Sequence, residues 1–354
     1  MKMIMKGGHN LIYIDYVEDG VCKNDRFRLD SDLNRDDSNY PFFLLREKLL
    51  SHNISLNTPD LNSQDNPGFE LHMNIPRKPS KKQKFLLLLE TPEVYEPNSN
   101  LTEILRYKHV FTWRQDLKCK HQSHINFPNT LQDLDFRVWS ERDSFACLIA
   151  SGSKGMVLDG DYNLYKKRIE TIKWFENFAP NEFNLYGPGW ESSIVPRNRW
   201  EKLLRKASIY AFKFWGYQPY ISYRGKVATK AEVLHKHKFN ICYENTSRWP
   251  GYITEKIFDS FFSGCIPVYW GAPDVSMHIP EACFIDRRKF STHQDLYEYM
   301  KSITSTQFLE YQQAILSFLN SEKAKAFYAE KFAETVSAVI SDFIYAPDKN
   351  LKLT

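Results

Sequence analysis

One segment in the second half of the chain constrains the fold more than any other. Residues 239–244 are mostly apolar or aromatic, which is typical of a buried strand, and residues 245–253 then interrupt them with polar side chains, proline and glycine. Apolar residues recur at helical spacing over 257–262, Gly264 fits the left-handed position that ends a helix, and a second apolar run follows at 266–270. Because a strand, a helix and a second strand in this order form a right-handed crossover, we expect two parallel strands in an open α/β sheet.

The same segment predicts an anion site. Ligands of open α/β sheets lie beyond the carboxyl ends of the strands, and a helix N-terminus favours a phosphate. Thr254 is the predicted N-cap, Lys256 adds a full positive charge, and Gly251 allows the backbone to approach a ligand closely. Acidic groups beside a phosphate are explained if they bind hydroxyl groups, as on a ribose. The alternative is that Glu255 and Asp259 only pair with Lys256 on a solvated helix surface.

From Phe239 to Gly271 the chain resembles the donor-binding signature of the α1,3/α1,4-fucosyltransferase family, glycosyltransferase family 10. Members of that family typically read F-N-[LI]-[CA]-[FY]-E-N, then G-Y-[IV]-T-E-K, and later I-P-[IV]-Y-W-G. This chain reads F-N-I-C-Y-E-N, G-Y-I-T-E-K and I-P-V-Y-W-G, and differs mainly in loop length. The resemblance implies donor-binding roles for residues of the loop and the helix start: Glu244, Asn245, Tyr252, Thr254, Glu255 and Lys256.

The resemblance also implies a fold and a reaction. The fold is α/β, with two Rossmann-like domains facing each other across a cleft, the GT-B architecture. The reaction is transfer of L-fucose from GDP-fucose, with inversion, to a hydroxyl of an N-acetylglucosamine- or N-acetyllactosamine-type glycan in α1,3 or α1,4 linkage. The expected partners are GDP-fucose or GDP and an oligosaccharide or glycolipid acceptor, in surface-polysaccharide or lipopolysaccharide synthesis. A transferase for another GDP-sugar, or a non-catalytic protein that binds sugar nucleotides, stays open as an alternative.

A second stretch predicts the catalytic group. Four consecutive leucines, residues 86–89, indicate a fully buried parallel strand, and Glu90 follows it at the carboxyl end, where ligands bind. In the fucosyltransferase family a glutamate of an E-S-P motif at this place is the catalytic base, and here Thr91 replaces the serine. Glu93 and Glu96 are nearby alternatives for the base. Glu90 could also serve only to cap the following turn.

Two further donor-binding residues are expected in the second half of the chain. A helix is predicted over 163–178, and the resemblance places in it an arginine that contacts the donor diphosphate; Arg168 fits, although Lys166 and Lys167 leave its register open by a residue or two. A guanidinium can bind phosphate through two parallel hydrogen bonds. A solvated basic helix face is the alternative. Gly187, at the end of a predicted strand, would allow the backbone to approach a base or ribose.

The chain is expected to divide into an acceptor-binding Rossmann-like domain with the catalytic base, residues 1–144, a donor-binding Rossmann-like domain, residues 145–330, and a C-terminal helix and tail, residues 331–354. The spacing of apolar residues predicts one long amphipathic helix over 321–345. Two placements of that helix stay open, because it could cross back to the first domain or dock its charged face on a membrane surface.

Three further patterns are less specific and predict no functional site by themselves. Residues 152–155 have the glycines of a phosphate loop but not its spacing. Residues 210–223 are densely aromatic and are expected to line the cleft or the core. His235 and His237 have no third ligand in the sequence, so two exposed helix residues are expected rather than a metal site.

Composition limits the function classes. The chain has 354 residues, a formal net charge of +4 and a pI near 8.5, which is too weakly basic to argue for nucleic acid but suits an anionic donor. Its six cysteines form no C-x-x-C pair, so buried reduced thiols are expected. No D-x-D pair stands at a predicted strand end, so no metal site and no cofactor are expected, and Mn²⁺ is expected at most to stimulate.

The expected location follows from what the sequence does not contain. No run of 18 or more apolar residues is present, and the N-terminus has no signal-peptide pattern. The Golgi members of the family carry an N-terminal anchor and stem, so the resemblance implies a soluble bacterial type. We therefore expect a cytoplasmic protein, with peripheral contact at the inner membrane face left open. The sequence is silent on oligomeric state.

Overall fold

The computed structural model describes residues 11–62, 67–132, 134, 136–152, 160–194, 196 and 198–345. The chain divides into two compact units. The first unit consists of two segments, one that ends at Leu131 and one that begins at Lys325. The second unit is the segment between them, Gln132–Ala324. Both units are α/β, and each is built on one sheet of parallel strands.

The strands are β1 (Ile12–Val17), β2 (Ile54–Asn57), β3 (Phe69–Met73), β4 (Gln83–Leu88), β5 (His109–Thr112), β6 (Gln122–His124), β7 (Ser144–Ile149), β8 (Phe183–Tyr186), β9 (His237–Tyr243), β10 (Ile266–Trp270) and β11 (Ile285–Asp286). The helices are α1 (Tyr40–Ser51), α2 (Leu101–Ile104), α3 (Leu164–Phe178), α4 (Arg199–Trp215), α5 (Lys230–Leu234), α6 (Glu255–Phe262), α7 (Val275–His278), α8 (His293–Ser302), α9 (Ser305–Leu319), α10 (Glu322–Lys325) and α11 (Ala329–Tyr345).

The sheet of the first unit has the order β2-β1-β3-β4-β5-β6, with every neighbouring pair parallel. Strand β4 lies inside this sheet, and residues 85–89 are at most 1% exposed. The leucine run therefore forms the fully buried parallel strand that the sequence predicts. It leads directly to Glu90.

Helix α11 belongs to the first unit, where it packs on α1. The rings of Phe42 in α1 and Phe332 in α11 lie 5.7 Å apart. The predicted single helix over 321–345 is wrong in its first part, because the helix breaks between α10 and α11. The break has a backbone cause: Asn129 donates its N–H to the carbonyl of Phe327 and accepts one from Ala329, which takes these groups out of helical pairing.

The sheet of the second unit has the order β11-β10-β9-β7-β8, again with every neighbouring pair parallel. The predicted β9–α6–β10 unit is confirmed, and Phe239 pairs in register with Ile266. Gly264 has φ +58° after α6, and its N–H and that of Cys265 bond back to Phe261 and Ser260. This is the Schellman pattern that ends a helix at a left-handed glycine.

The second unit begins earlier than residue 145. Trp139 packs its ring against Phe308 at 5.4 Å, and Arg142 is buried, donating to the carbonyls of Leu234, His237 and Ser263. These contacts hold residues 137–143 to the second sheet. An arginine that satisfies several buried carbonyls cannot be recognised from the sequence around it.

One sequence expectation in this unit is wrong, and another is met only in part. His237 is not an exposed helix residue: it lies in β9, is 1% exposed, and has both ring nitrogens engaged, by the carbonyl of Val233 and the side chain of Asn184. The aromatic stretch 210–223 is only partly in the core. Tyr220 and Tyr223 are buried and Phe212 packs partly buried against the core, whereas other aromatic residues of the stretch are exposed: Tyr210, Phe214, Trp215 and Tyr217. Within the ranges given above, no helix has the length and apolar character needed to cross a bilayer.

Candidate functional site

The polar cluster of the second unit is built around Glu244, the first residue after β9. Its side chain is fully buried. One carboxylate oxygen accepts the backbone N–H of Thr254 at 2.8 Å, and the other accepts the hydroxyl of Thr254 at 2.8 Å and lies 3.2 Å from Nζ of Lys256. A buried carboxylate is tolerated only when it is paired and hydrogen-bonded. Glu244 therefore ties the end of β9 to the start of α6 and orients the lysine.

Thr254 occupies the N-cap position of α6, as predicted, but its hydroxyl does not cap the helix. It donates to Glu244 and accepts from Nζ of Lys256 at 2.9 Å. The helix start is therefore held by the buried carboxylate and not by a local side-chain cap. The chemical result is an ammonium group fixed at the positive end of a helix, which is an arrangement that favours a phosphate.

A second lysine extends this cluster. Nζ of Lys230 lies 2.6 Å from Asp259 and 3.9 Å from Glu255, and Nζ of Lys256 lies 3.5 Å from Glu255. Burial opposes ionisation of Glu255, but the two ammonium groups outweigh it and hold the pKa of this carboxyl at about 2. The pairing of Glu255 with Lys256 foreseen as an alternative is present, whereas Asp259 pairs with Lys230.

A cavity of about 120 Å³ lies beside these side chains and is lined by Arg168, Lys230, Glu255 and Lys256 among others. It sits at the carboxyl-terminal half of β9, between α5 and α6. Two lysines, Lys230 of α5 and Lys256 of α6, and an arginine, Arg168 of α3, thus line one small cavity in the second unit. Lys230 was missed by the sequence analysis because it enters the cluster only through the packing of α5 on α6.

Arg168 lies in α3, in the predicted helix, and is 4% exposed. Its Nη2 donates to the backbone carbonyls of Tyr243 at 2.6 Å and Glu244 at 2.8 Å, and to the side-chain oxygen of Asn245 at 3.2 Å. Burial lowers the pKa of this guanidinium, with nearby Tyr165 and Glu244 acting against that. Arg168 therefore caps the carboxyl end of β9 while it also lines the cavity.

The loop between β9 and α6 is held by its own polar groups. The amide of Asn245 donates to the hydroxyl of Tyr252 at 3.1 Å, and Tyr252 is buried. Gly251 has φ +78°, and its N–H donates to Asp274 at 2.8 Å. A residue with a Cβ is disfavoured at this backbone conformation, so the glycine is required by the turn.

Gly187 has a packing reason of its own. It has φ +119°, and a Cβ built at this position would lie 2.1 Å from the carbonyl oxygen of Ala150, at the end of the neighbouring strand β7. Glycine is therefore required here whether or not a ligand approaches. In the weak phosphate-loop pattern, Gly152 packs on Trp190, and residues 153–155 lie outside the described residues.

In the first unit, Glu90 follows β4 and is partly exposed. Its backbone N–H donates to the side chain of Asn74 at 3.0 Å, its carbonyl accepts from the side chain of Asn98 at 2.9 Å, and its carboxylate accepts the N–H of Thr91 at 3.0 Å. The nearby indole of Trp113 donates to the carbonyl of Leu89 at 2.7 Å. The backbone of Glu90 is thus fixed by hydrogen bonds at both its N–H and its carbonyl, which limits the positions that its carboxylate can take.

Asn74 and Asn98 were missed by the sequence analysis. Asn74 follows β3 with φ +59°, and its side-chain oxygen accepts from the N–H groups of Leu89 and Glu90 and from the amide of Asn98. An asparagine directly after a predicted strand is a signal for such a left-handed anchor. Of the alternative bases, Glu93 is partly exposed and Glu96 is exposed at the start of the next turn.

Comparison with known proteins finds a family model that is similar to part of the chain. Residues 191–341 match the model of the glycosyltransferase family 10 (fucosyltransferase) C-terminal domain. The match covers less than half of the chain, and this region is similar to that family. The matched region contains the Glu244–Lys256 cluster, whereas Arg168, Gly187 and Glu90 lie outside it.

Relatives of the chain are named as fucosyltransferases. The α-(1,3)-fucosyltransferase FucT of Helicobacter pylori is 33% identical over 107 residues, which are 30% of this chain and 22% of that protein. An α-(1,4)-fucosyltransferase of Arabidopsis thaliana is 39% identical over 71 residues, which are 20% of this chain and 18% of that protein. The matches therefore span about a fifth of the length of these relatives.

Solved structures share the fold of the whole described chain. An α1,3-fucosyltransferase with GDP matches with a TM-score of 0.50 and 14% identity, over 96% of this chain and 93% of that one. The Anabaena protein Alr3699/HepE, in complex with UDP and glucose, matches with a TM-score of 0.55 and 9% identity, over 94% of this chain and all of that one. The chain has the α/β fold of the GT-B glycosyltransferases.

Within the described part of the chain, no three His, Cys, Asp or Glu side chains are grouped as a metal ion would require. The six cysteines are free thiols, of which Cys22 is exposed and Cys119 partly exposed, so the expectation of burial is met by the other four.

Proposed function

We propose that the chain is a fucosyltransferase that moves L-fucose from GDP-fucose to a hydroxyl of an N-acetylglucosamine- or N-acetyllactosamine-type glycan, in α1,3 or α1,4 linkage. One observation carries the proposal: the family 10 domain match includes the segment in which Glu244 fixes Lys256 at the start of α6. Relatives of the chain are named as α-(1,3)- and α-(1,4)-fucosyltransferases.

In this proposal the donor diphosphate binds where the cations converge. Lys256 provides an ammonium group at the α6 N-terminus, and Arg168 lines the same cavity. Glu255, which stays ionised because of its two lysine neighbours, accepts hydroxyl groups of the ribose. Asn245, Tyr252, Thr254 and Gly187 shape the surrounding backbone, and Glu244 acts through Thr254 and Lys256.

The cations also supply the electrostatic part of catalysis. When the bond between the anomeric carbon and the diphosphate breaks, negative charge grows on the leaving GDP, and fixed positive groups stabilise it. In other transferases a metal ion has this role. We propose that Lys256 and Arg168 take it here, so that transfer continues after all divalent cations are chelated, with Mn²⁺ at most stimulating.

Glu90 is the proposed general base. It takes the proton from the acceptor hydroxyl while the oxygen attacks the anomeric carbon, the new glycosidic bond forms, and GDP leaves with the electron pair of the broken bond. One displacement inverts the anomeric centre. The backbone contacts to Asn74 and Asn98 support the role, since a base must be held in position by its surroundings.

The test is transfer by the full chain. The protein is incubated with GDP-fucose and an N-acetyllactosamine acceptor, with and without a chelator, GDP release is measured, and the linkage is read by NMR. A panel of GDP-linked hexoses run in parallel separates a fucosyltransferase from a transferase for another sugar. Binding of GDP by calorimetry without turnover on any donor would instead show a non-catalytic sugar-nucleotide-binding protein. Lipid-linked and lipopolysaccharide acceptors test the proposed place in surface-glycan synthesis at the cytoplasmic face of the membrane.

A further inference from the structure

Helix α4 turns its apolar side toward solvent. Within α4, large apolar side chains stand three and four residues apart near the N-terminus and recur ten residues later near the C-terminus, and these positions fall on one face of the helix. Among them, five side chains are between 58% and 86% exposed: Trp200, Leu203, Leu204, Phe214 and Trp215. No residue of α4 is fully buried. We call this face the α4 apolar face.

The exposure is not a sign of an unformed helix. The side chain of Asn198 caps the N-terminus by accepting the N–H of Glu201 at 2.9 Å, and Gly216 ends the helix with φ +68°. The opposite side holds α4 to the second unit, where the rings of Phe212 and Tyr223 lie 5.9 Å apart. A capped, attached helix thus presents its apolar face outward.

The charge of α4 indicates what could cover this face. The helix contains five basic residues and one acidic residue, Glu201, which gives a net charge of +4. Three of the basic residues, Lys202, Lys206 and Lys213, follow one another at helical spacing along one border of the α4 apolar face. Long lysine side chains beside an apolar stripe can keep their ammonium groups in a polar layer while their stems lie on apolar material.

Helix α11 is a useful contrast because it also has 17 residues. Its apolar side chains, among them Phe332, Val336 and Ile340, are buried on the first unit. Its charged residues are three acidic and one basic, so its net charge is −2. Membrane docking through the charged face of the C-terminal helix, the alternative drawn from the sequence, therefore lacks charge attraction to anionic headgroups. The feature that fits such a surface is α4.

We propose that α4 docks the chain on an anionic lipid surface. The helix lies in the plane of the membrane, with the α4 apolar face among the upper acyl chains and its lysines among the headgroups, an arrangement typical of interfacial amphipathic helices with tryptophan and phenylalanine on the apolar side. A second copy of the chain fits less well, because a two-fold contact through this face would bring two helices of charge +4 together. The proposal is independent of the transferase activity.

The first test is flotation of the full chain with vesicles. Vesicles of phosphatidylcholine mixed with phosphatidylglycerol are expected to carry the protein upward, vesicles of phosphatidylcholine alone far less, and added salt is expected to weaken the binding. Trp200→Glu combined with Phe214→Glu is expected to weaken binding by at least about tenfold, since both side chains would enter the apolar layer. Both are exposed, so thermal unfolding should stay unchanged. Leu309→Glu, at an exposed leucine of α9, is the control that should bind like the wild type.

The second test separates charge from apolar contact. Lys202, Lys206 and Lys213 are changed to glutamine together, and binding to the mixed vesicles is expected to fall and to lose most of its salt dependence. The matched control removes the same charge from exposed lysines of the first unit, Lys78, Lys81 and Lys118, and should leave binding intact. Equal loss in both triple variants would mean non-specific charge attraction and would overturn the proposal.

The third test locates the helix. Lipids brominated on their upper acyl chains are expected to quench tryptophan emission, and Trp200→Phe with Trp215→Phe should remove most of that quenching. The competing occupant, a second copy of the chain, gives a different result. In that case the wild type would be a dimer in sedimentation velocity and the Trp200→Glu, Phe214→Glu variant a monomer. Neither protein would bind vesicles. Wild-type binding that the α4 variants leave unchanged would also refute the proposal.

Discussion

Two glutamates stand at equivalent places in the two units, and their surroundings differ. Glu90 follows the buried parallel strand β4, and Glu244 follows the buried parallel strand β9. The carboxylate of Glu244 is fully buried, and both of its oxygens are bound by Thr254 and Lys256. Glu90 is partly exposed, and the groups that hold it bind mainly its backbone. The carboxyl end of a strand can therefore supply either a structural tie or a reactive group, and burial decides which.

The largest expected effect concerns Glu90. Glu90→Gln keeps the shape of the side chain but cannot accept a proton, so turnover is expected to fall by about 10²–10⁴-fold, as for loss of a general base. GDP affinity by calorimetry and the free energy of unfolding should change little, within about 0.5 kcal/mol for the latter, because the glutamine side-chain oxygen can still accept the N–H of Thr91 and the bonds from Asn74 and Asn98 are to the backbone. Glu96→Gln, at an exposed neighbour, is the control. Full activity of Glu90→Gln would show that another group is the base.

The opposite pattern is expected for Glu244. Glu244→Gln replaces a carboxylate with an amide. The two carboxylate oxygens accept from Thr254, and one of them lies near Lys256. The amide NH₂ group is a donor, and it would stand where one of those oxygens now faces a donor. The free energy of unfolding is expected to fall by about 2–3 kcal/mol, measured by urea denaturation. Donor affinity should fall as well, since Lys256 loses its orientation. If stability were unchanged while turnover was lost, Glu244 would belong with Glu90, and the comparison of the two strand ends would fail.

A smaller effect is expected at the lysine that Glu244 orients. Lys256→Met keeps the length of the side chain and removes its charge, so the Kd for GDP is expected to rise about tenfold, the loss of one charge-assisted contact. Lys167→Met, on a lysine of α3 that pairs with Glu170, is the control and should leave the Kd unchanged. Unaltered GDP binding by Lys256→Met would show that the diphosphate does not bind at the start of α6.

The smallest expected effect is on acid stability. The pKa of Glu255 is lowered from its ordinary 4.5 to about 2 by Lys256 and Lys230, so the folded chain holds this proton less tightly than the unfolded chain. Its stabilising contribution is complete above the ordinary pKa and is lost as the pH falls through about 4.5 to 2. Unfolding free energies of the wild type and Glu255→Gln should therefore converge over that range. Parallel curves would indicate that the lysines do not act on Glu255.

Much of the fold could be predicted where the pattern is local. The leucine run predicted β4, and the alternation of apolar run, loop, helix and apolar run predicted β9, α6 and β10. Gly264 was predicted as the end of α6, because a left-handed position favours glycine. In contrast, β2 and α9 were missed, and α10 and α11 were merged, since the break depends on backbone bonds from Asn129, far away in the chain.

The candidate site was predictable in its residues and not in their contacts. The positions of Glu244, Thr254 and Lys256 follow from the segment itself, but the engagement of both Glu244 oxygens by Thr254 and Lys256 does not. Lys230 meets Asp259, which is 29 residues later, only because α5 and α6 pack together. The two asparagines that hold Glu90 come from different turns, and Asn98 reaches it from eight residues away.

By itself, the amino-acid sequence determined the kinds of element, the parallel order of strands around α6, and which polar side chains stand at strand ends, because these depend on neighbours within a few residues. Only the tertiary structure decided that Glu244 is buried and Glu90 is not, that Arg142 and His237 lie inside the second unit, and that α4 faces outward whereas α11 does not. Burial and pairing arise from contacts between residues far apart in the chain, and the local pattern does not contain them.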